Sequence, residues 1–405
     1  MGLAKAAWIE SQERGWDAPD AWVCSVCVGD EFLANLVLEN VEECECSYCG
    51  EESAHPVAAP VECVMEVIAA AVFHYFSPPQ EAGVPYEDGE WAVRTLDTAD
   101  VIAELELDAQ DQFLDDVISA FHEVCWVRSS AGFWAAPRTN QRLKFAWQDF
   151  VRMVKHQTRF HFLAQKEDGA YEADYLTPDQ ILSEIAELLR KFEMLRQVPE
   201  GTPIYRCRTR QPHDNWTLNE EQLGAPPSER ASAGRMNPAG ISYFYGAFAI
   251  GTAVGEIVSH PPTAVGIGTF VNTHPLLVAD LTKLPPIPSI FDSGQRNERE
   301  ALLFLREFTR QISRPVKKDG TEHIDYVPSQ VVCEYLAQVF EIDSSGKRLE
   351  GIVFPSSIKP GCHNIVLFPS DRVWKTKFDR LRFVEGKVMH LGDWQSVVKA
   401  LEMGG

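Results

Sequence analysis

The sequence predicts an α+β protein, with a cysteine-ligated zinc knuckle and a helical domain in its first half and a mixed β-sheet with helices in its second. Three observations predict this. Two C-x2-C pairs stand near the N-terminus; apolar residues then recur at helical spacing as far as Phe192; past Val198 the texture changes to short β-prone runs between Pro and Gly turns. At 405 residues the chain exceeds the roughly 250 to 300 residues that one hydrophobic core serves, so several compact units are expected. The texture divides it into residues 1–55 (knuckle), 56–198 (helical), 199–370 (β-rich) and 371–405 (a C-terminal extension).

The knuckle comes first. Cys24, Cys27, Cys46 and Cys49 read C-x2-C-x18-C-x2-C, a spacing at which each tight turn supplies two thiolates to one zinc ion. Cys44 is an alternative to Cys46 if the second turn is shifted. No neighbouring residue offers an open coordination position with a general base, so a structural zinc is expected, stabilising a unit too small to bury much core.

Helical periodicity follows over Val61 to Phe76, Asp108 to Val124 and Gln141 to Leu163. Thr177, Pro178 and Gln180 make a start signal of cap, N1 proline and capping-box partner. Ile181, Leu182, Ile185, Leu188, Leu189 and Phe192 then share one apolar face. Beyond a boundary near Pro199 to Thr202, strands are expected at Ile204 to Cys207, Ile241 to Tyr245, Gly266 to Val271, Leu276 to Leu281, Gly351 to Phe354 and Asn364 to Phe368. Helical patterns interrupt them at Ala247 to Ser259, Asn297 to Ile312 and Ser329 to Phe340, and the segment after Ser370 reads as a strand and a closing helix.

Composition narrows the function. Acidic residues number 59 against 37 basic, a formal charge of −22, and such a field repels phosphate backbones and anionic lipid. Nucleic acid is therefore unlikely as a partner, and a small anion would need clustered arginines acting at short range. The N-terminus carries no export signal, and the most apolar stretch, Val61 to Phe76, is broken by Glu62, Glu66 and His74 and too short to span a bilayer. A cytoplasmic protein that does not engage membranes is expected, with its ten cysteines as metal ligands and buried thiols.

Four pieces carry the chemistry: IYRCR at 204–208, GRMNPAGISYFYGA at 234–247, TAVGEI at 252–257 and YVPSQ at 326–330; GIVFPSS at 351–357 precedes NIVLF. Taken singly, Glu256 is a solvated charge, Arg206 a structural ion-pair member, Tyr245 strand packing, and Asn237 with Pro238 and Gly240 a turn. In this order and spacing they resemble the RES domain, a toxin family named for Arg, Glu and Ser residues. The knuckle and helices before them resemble the HEPN/RES module that precedes RES in longer members.

The resemblance implies an ADP-ribosyltransferase-like fold and an enzyme that degrades NAD, its substrate, by hydrolysis or phosphorolysis of the nicotinamide bond. It also implies a toxin or defence role, with an antitoxin or inhibitor protein as partner; a homodimer is a further possibility that the sequence leaves open. Carried over residue by residue, the catalytic set is Arg206, Glu256 and Ser329, and the substrate-binding set is Arg235, Asn237, Tyr245 and Ser356. Ser329 and Ser356 both stand as candidates for the family serine. The chemistry fits independently: NAD carries a diphosphate that two guanidiniums can bind bidentately, and departure of neutral nicotinamide leaves a ribosyl cation-like transition state that one carboxylate stabilises. Transfer of ADP-ribose to a macromolecule, and an inactive partner-binding module, are the competing readings. Arg152, Lys155, His156, Arg159 and His161 form a basic patch, but only three residues separate Arg152 from His156, fewer than a HEPN ribonuclease motif has, so an ion-pairing face is expected there.

Overall fold

The structure is a computed structural model that describes residues 9, 11–129, 132–134, 139–160, 176–210, 217–258, 260–314, 322–369 and 380–402. The chain divides into two compact units, Met1–Arg142 with Pro286–Leu303, and Leu143–Pro285 with Phe304–Gly405.

In the first unit, β1 (Trp22–Cys24) pairs antiparallel with β2 (Ala58–Pro60), and β3 (Phe76–Ser77), β4 (Tyr86–Glu87), β5 (Glu90–Trp91) and β6 (Val127–Arg128) make two further ribbons, β3 with β6 and β4 with β5. Helix Glu31–Glu39 starts where the Asp30 carboxylate accepts the amides of Phe32 and Leu33 at 2.9 and 3.1 Å, satisfying donors that a helix start leaves unpaired. The expected helix at Val61 is observed over Val61–Tyr75, and its buried face, Val64, Met65, Ile68 and Val72, meets Val23, Leu33, Val37, Phe113 and Trp126 in one core. The second expected helix is shorter than its pattern, at Asp111–Ala120.

The second unit is built on a mixed eight-stranded sheet. Its strands are β7 (Leu195–Val198), β8 (Pro203–Arg210), β9 (Phe244–Ala247), β10 (Thr263–Asn272), β11 (Leu276–Asp280), β12 (Gly351–Pro355), β13 (His363–Leu367) and β14 (Leu381–Leu391), in the order β14-β10-β8-β9-β13-β12-β11-β7. All pairs are antiparallel except β11 with β12. Alternation along the strands separates two cores. Ile204, Phe244, Phe270, Val278, Val353 and Ile365 cluster together. Cys207, Val265 and Ile267 instead meet Val254 of helix Ile250–Gly255 and Val397 of helix Trp394–Leu401.

Thr177 and Gln180 do cap helix Pro178–Lys191: the Thr177 amide donates to Gln180 Oε1 at 2.9 Å. The strand expected from Ile241 begins only at Phe244, because Pro238 and Gly240 hold the preceding chain in turns, with Gly240 at φ +85°. The helix expected over Ala247–Ser259 is cut to Ile250–Gly255, since Tyr245 to Ala247 pair instead with β13.

Candidate functional site

The sheet opens at its middle. β8 and β9 are joined at one residue pair, Tyr205 with Ala247, and beyond it the Arg206 guanidinium bridges the strands, donating from Nη1 to the Tyr245 carbonyl at 2.8 Å. A cavity of about 320 Å3 lies at this opening, and Arg206, Arg235, Tyr245 and Glu256 all line it, together with Tyr326 and Asn364.

Arg206 is a half-buried cation. Its Nε has no hydrogen-bond partner, and among the described residues no carboxylate forms an ion pair with Arg206 or Arg235. Burial, with a smaller effect from Arg208, holds the Arg206 guanidinium down to about 10, and its carbon lies 5.4 Å from the centre of the Phe244 ring. A desolvated charge without an opposite charge is costly, and the arrangement suits an anion arriving from outside. Arg235 is anchored from Nη1 to the Ser313 carbonyl at 2.8 Å.

Glu256 caps the short helix Ile250–Gly255, its amide bonded to the Thr252 carbonyl at 3.1 Å. Its carboxylate is oriented by two donors from the β12–β13 hairpin, Ser356 Oγ at 3.0 Å and Asn364 Nδ2 at 2.7 Å, both on Oε1. Ser356 itself accepts the amides of Ile358 and Lys359 at 3.2 and 3.3 Å, so the turn that holds the serine is the turn that holds the glutamate. Asn364 was not singled out in the sequence; the available signal was an amide opening an otherwise apolar strand, where it is 4 % exposed.

Tyr245 is fixed through its hydroxyl, which donates to Asn237 Oδ1 at 2.8 Å and accepts the Met236 amide at 3.0 Å; burial pushes its phenol well up. Asn237 uses Nδ2 on the carbonyls of Ser232, Pro238 and Ile241. A Cβ on Gly234 would lie 2.5 Å from Asn237 Oδ1 and 2.9 Å from the Tyr245 hydroxyl, so only glycine lets this pair close over the loop. Helix Val327–Gln338 secures the same loop: Gln330 Nε2 donates to the carbonyls of Gly234 and Asn237 at 2.8 and 3.0 Å, and Ser329 Oγ donates to those of Arg235 and Tyr326. Of the two serines, Ser356 touches Glu256 and Ser329 touches the backbone of Arg235. Cys207 also lines the cavity, but burial pushes its thiol up to about 12, which leaves it protonated and a poor nucleophile.

In the first unit, the Sγ atoms of Cys24, Cys27, Cys46 and Cys49 all lie within 4.8 Å of one another. Cys24 is 3.6 Å from Cys27 and 3.7 Å from Cys49, and Cys46 is 3.9 Å from Cys27. Four thiolates at about 2.3 Å from a tetrahedral ion stand roughly 3.8 Å apart, so the cluster can hold a metal ion. Cys44 is exposed and outside the group. In the basic patch, Arg152 pairs with Asp149 at 2.8 Å and Lys155 with Asp325 at 2.7 Å; His161 lies outside the described residues. Among the described residues no helix is long and apolar enough to cross a membrane.

Comparison with known families matches residues 203–379 to the RES domain and residues 39–168 to the HEPN/RES N-terminal domain 1. No curated protein matches the chain. A chain of the solved M. tuberculosis MbcT-MbcA toxin-antitoxin complex aligns over 53% of this chain and 96% of that one, at 16% identity and a TM-score of 0.29, a likeness too slight to argue from.

Proposed function

We propose that this protein, which carries a RES domain behind a HEPN/RES N-terminal domain, cleaves the nicotinamide–ribose bond of NAD and acts as a toxin or defence effector. The observation that carries the reading is the pairing, in one cavity, of a half-buried guanidinium, its Nε enclosed and without an anionic partner among the described residues, with an oriented carboxylate. Arg206 and Arg235 bind the diphosphate, where charge-assisted bonds offset the partial desolvation of the Arg206 cation. Tyr245 lies against the nicotinamide ribose. Glu256 stabilises the positive charge that develops at the anomeric carbon as the C–N bond breaks and its electron pair leaves on neutral nicotinamide. The oxygen of water or phosphate then bonds to that carbon, and a proton released by water passes through the carboxylate to solvent.

Ser356 and Asn364 are positioning residues in this scheme. Both their bonds fall on Oε1 of Glu256, so among the described residues Oε2 is the oxygen left for the developing charge. The metal in the four-cysteine site is structural zinc, remote in role from this chemistry. Incubation of the purified protein with NAD, with and without phosphate, tests the reading. Free nicotinamide with ADP-ribose supports hydrolysis, and free nicotinamide with ADP-ribose phosphate supports phosphorolysis. ADP-ribose attached to protein would point to transfer, and intact NAD would overturn the proposal.

A further inference from the structure

We propose that the second unit carries a further ligand site, at the opposite end of the β12–β13 hairpin from the reactive cavity, that takes a small molecule bearing a phosphoryl group. The inference is independent of the NAD reading. A cavity of about 420 Å3 is lined by His274, Lys347, Arg348, Glu350 and Arg380. Lys347, Arg348 and Arg380 outnumber the one carboxylate, Glu350, although the chain as a whole has a formal charge of −22. Strand direction fixes the location. β12 leads from Glu350 at this cavity to Ser356 at the reactive one, and β13 returns from Asn364 to Phe368, which lines the new cavity. The five residues of β12, at about 3.4 Å each, set the two sites roughly 17 Å apart.

Glu350 organises the cations. Its Oε1 accepts from Arg380 Nε at 3.1 Å and lies 3.0 Å from His274 Nε2, and its Oε2 accepts the Leu277 amide at 2.9 Å. The backbone of Glu350 is pinned as well, its amide on the Leu277 carbonyl at 2.8 Å and its carbonyl on the Phe368 amide at 2.9 Å. Both carboxylate oxygens are thus engaged in holding His274 and Arg380 along the cavity wall. Arg348 has a partner in Glu341 at 3.2 Å, but that carboxylate is half exposed, and such a pair contributes little. Arg348 Nε is enclosed and makes no hydrogen bond among the described residues. Lys347 is exposed.

The cations come from three segments of the chain, the turn before β11, the loop before β12 and the residue before β14. A tetrahedral oxyanion offers acceptors in several directions to such a set, and guanidiniums bind it bidentately; a planar carboxylate needs only one of them. Pro275, Leu349 and Phe368 complete the lining and suit the uncharged body of an organic phosphate. A small ligand responds to charges within about one Debye length, whereas a long polyanion would meet the acidic surface as well.

Isothermal titration of the full chain with phenyl phosphate, at fixed ionic strength, tests the site. Arg206→Met serves as the background throughout, because it removes a guanidinium from the reactive cavity. Saturable binding is expected, with benzoate, which presents a carboxylate on the same ring, weaker by on the order of tenfold or more. Lys347→Glu in that background is expected to weaken phenyl phosphate by on the order of tenfold or more, and Lys399→Glu, the same charge change on helix Trp394–Leu401, to leave it within about twofold. Both lysines are exposed, so neither change disturbs a core. Absence of saturable binding, equal affinity for benzoate, an unaffected Lys347→Glu protein, or equal losses in the two lysine variants would each overturn the proposal.

Discussion

Asn364 Nδ2 donates to Glu256 Oε1 at 2.7 Å, joining a strand start to a helix end 108 residues earlier in the chain. Asn364→Ala removes one of the two donors that orient the carboxylate and leaves the arginines untouched. Steady-state kinetics are expected to show kcat reduced about tenfold, the equivalent of one lost hydrogen bond to a charged group, with KM within about twofold of wild type. A loss confined to KM would mean that Asn364 contacts substrate instead of positioning Glu256.

Glu256→Gln is a sharper change. The glutamine oxygen can still accept from Ser356 and Asn364, so what disappears is the charge on the free oxygen. Because that charge acts chiefly in the transition state, kcat is expected to fall by on the order of a hundredfold or more while NAD binding stays nearly intact. A variant that consumes NAD at the wild-type rate would make the carboxylate a bystander.

Arg206→Met separates function from stability. Partial burial holds the Arg206 guanidinium at about 10 in the folded state, well below the ordinary arginine range, so the folded state disfavours the cation. This cost is fully present at neutral pH and is relieved only as pH rises through about 10. Replacing the guanidinium with an apolar chain of similar length is expected to raise the melting temperature of the ligand-free protein, by on the order of 2–4 °C for each kcal/mol recovered. NAD affinity is expected to drop at the same time. A lowered melting temperature would show that the bond to the Tyr245 carbonyl outweighs the desolvation of the charge.

Gly234→Ala tests the loop over the cavity. The added methyl would meet Asn237 Oδ1 at 2.5 Å and the Tyr245 hydroxyl at 2.9 Å, so the pair must separate and Tyr245 loses its anchor. KM for NAD is expected to rise several-fold, with a fold stable enough to purify; unchanged kinetics would remove Tyr245 from the binding scheme.

For the cysteine site, metal analysis of freshly purified protein is expected to find about one zinc per chain. The Cys24→Ser, Cys27→Ser double variant is expected to lose it and to melt at lower temperature, whereas Cys44→Ser keeps it, because Cys44 lies outside the cluster. Zinc well below one per chain in the wild type would sink the structural-zinc proposal.

What the sequence by itself determined is local. Helix Pro178–Lys191 follows from its start signal and apolar face, and the Cys24, Cys27, Cys46 and Cys49 group from two tight turns, because in both cases the interacting atoms are a few residues apart within each element. The tertiary structure decided what depends on distant segments meeting. It joined Leu195–Val198 and Leu381–Leu391 to opposite edges of one sheet, and it grouped Pro286–Leu303 with the N-terminal unit. It also separated two serines that look alike in sequence: Ser356 reaches Glu256 because the β12–β13 turn folds onto the end of helix Ile250–Gly255, while Ser329, on another helix, spends its hydroxyl on the backbone of Arg235 and Tyr326. Periodicity records which face of an element is buried. Which distant side chain a buried polar group finds depends on strand order, and no local pattern encodes that.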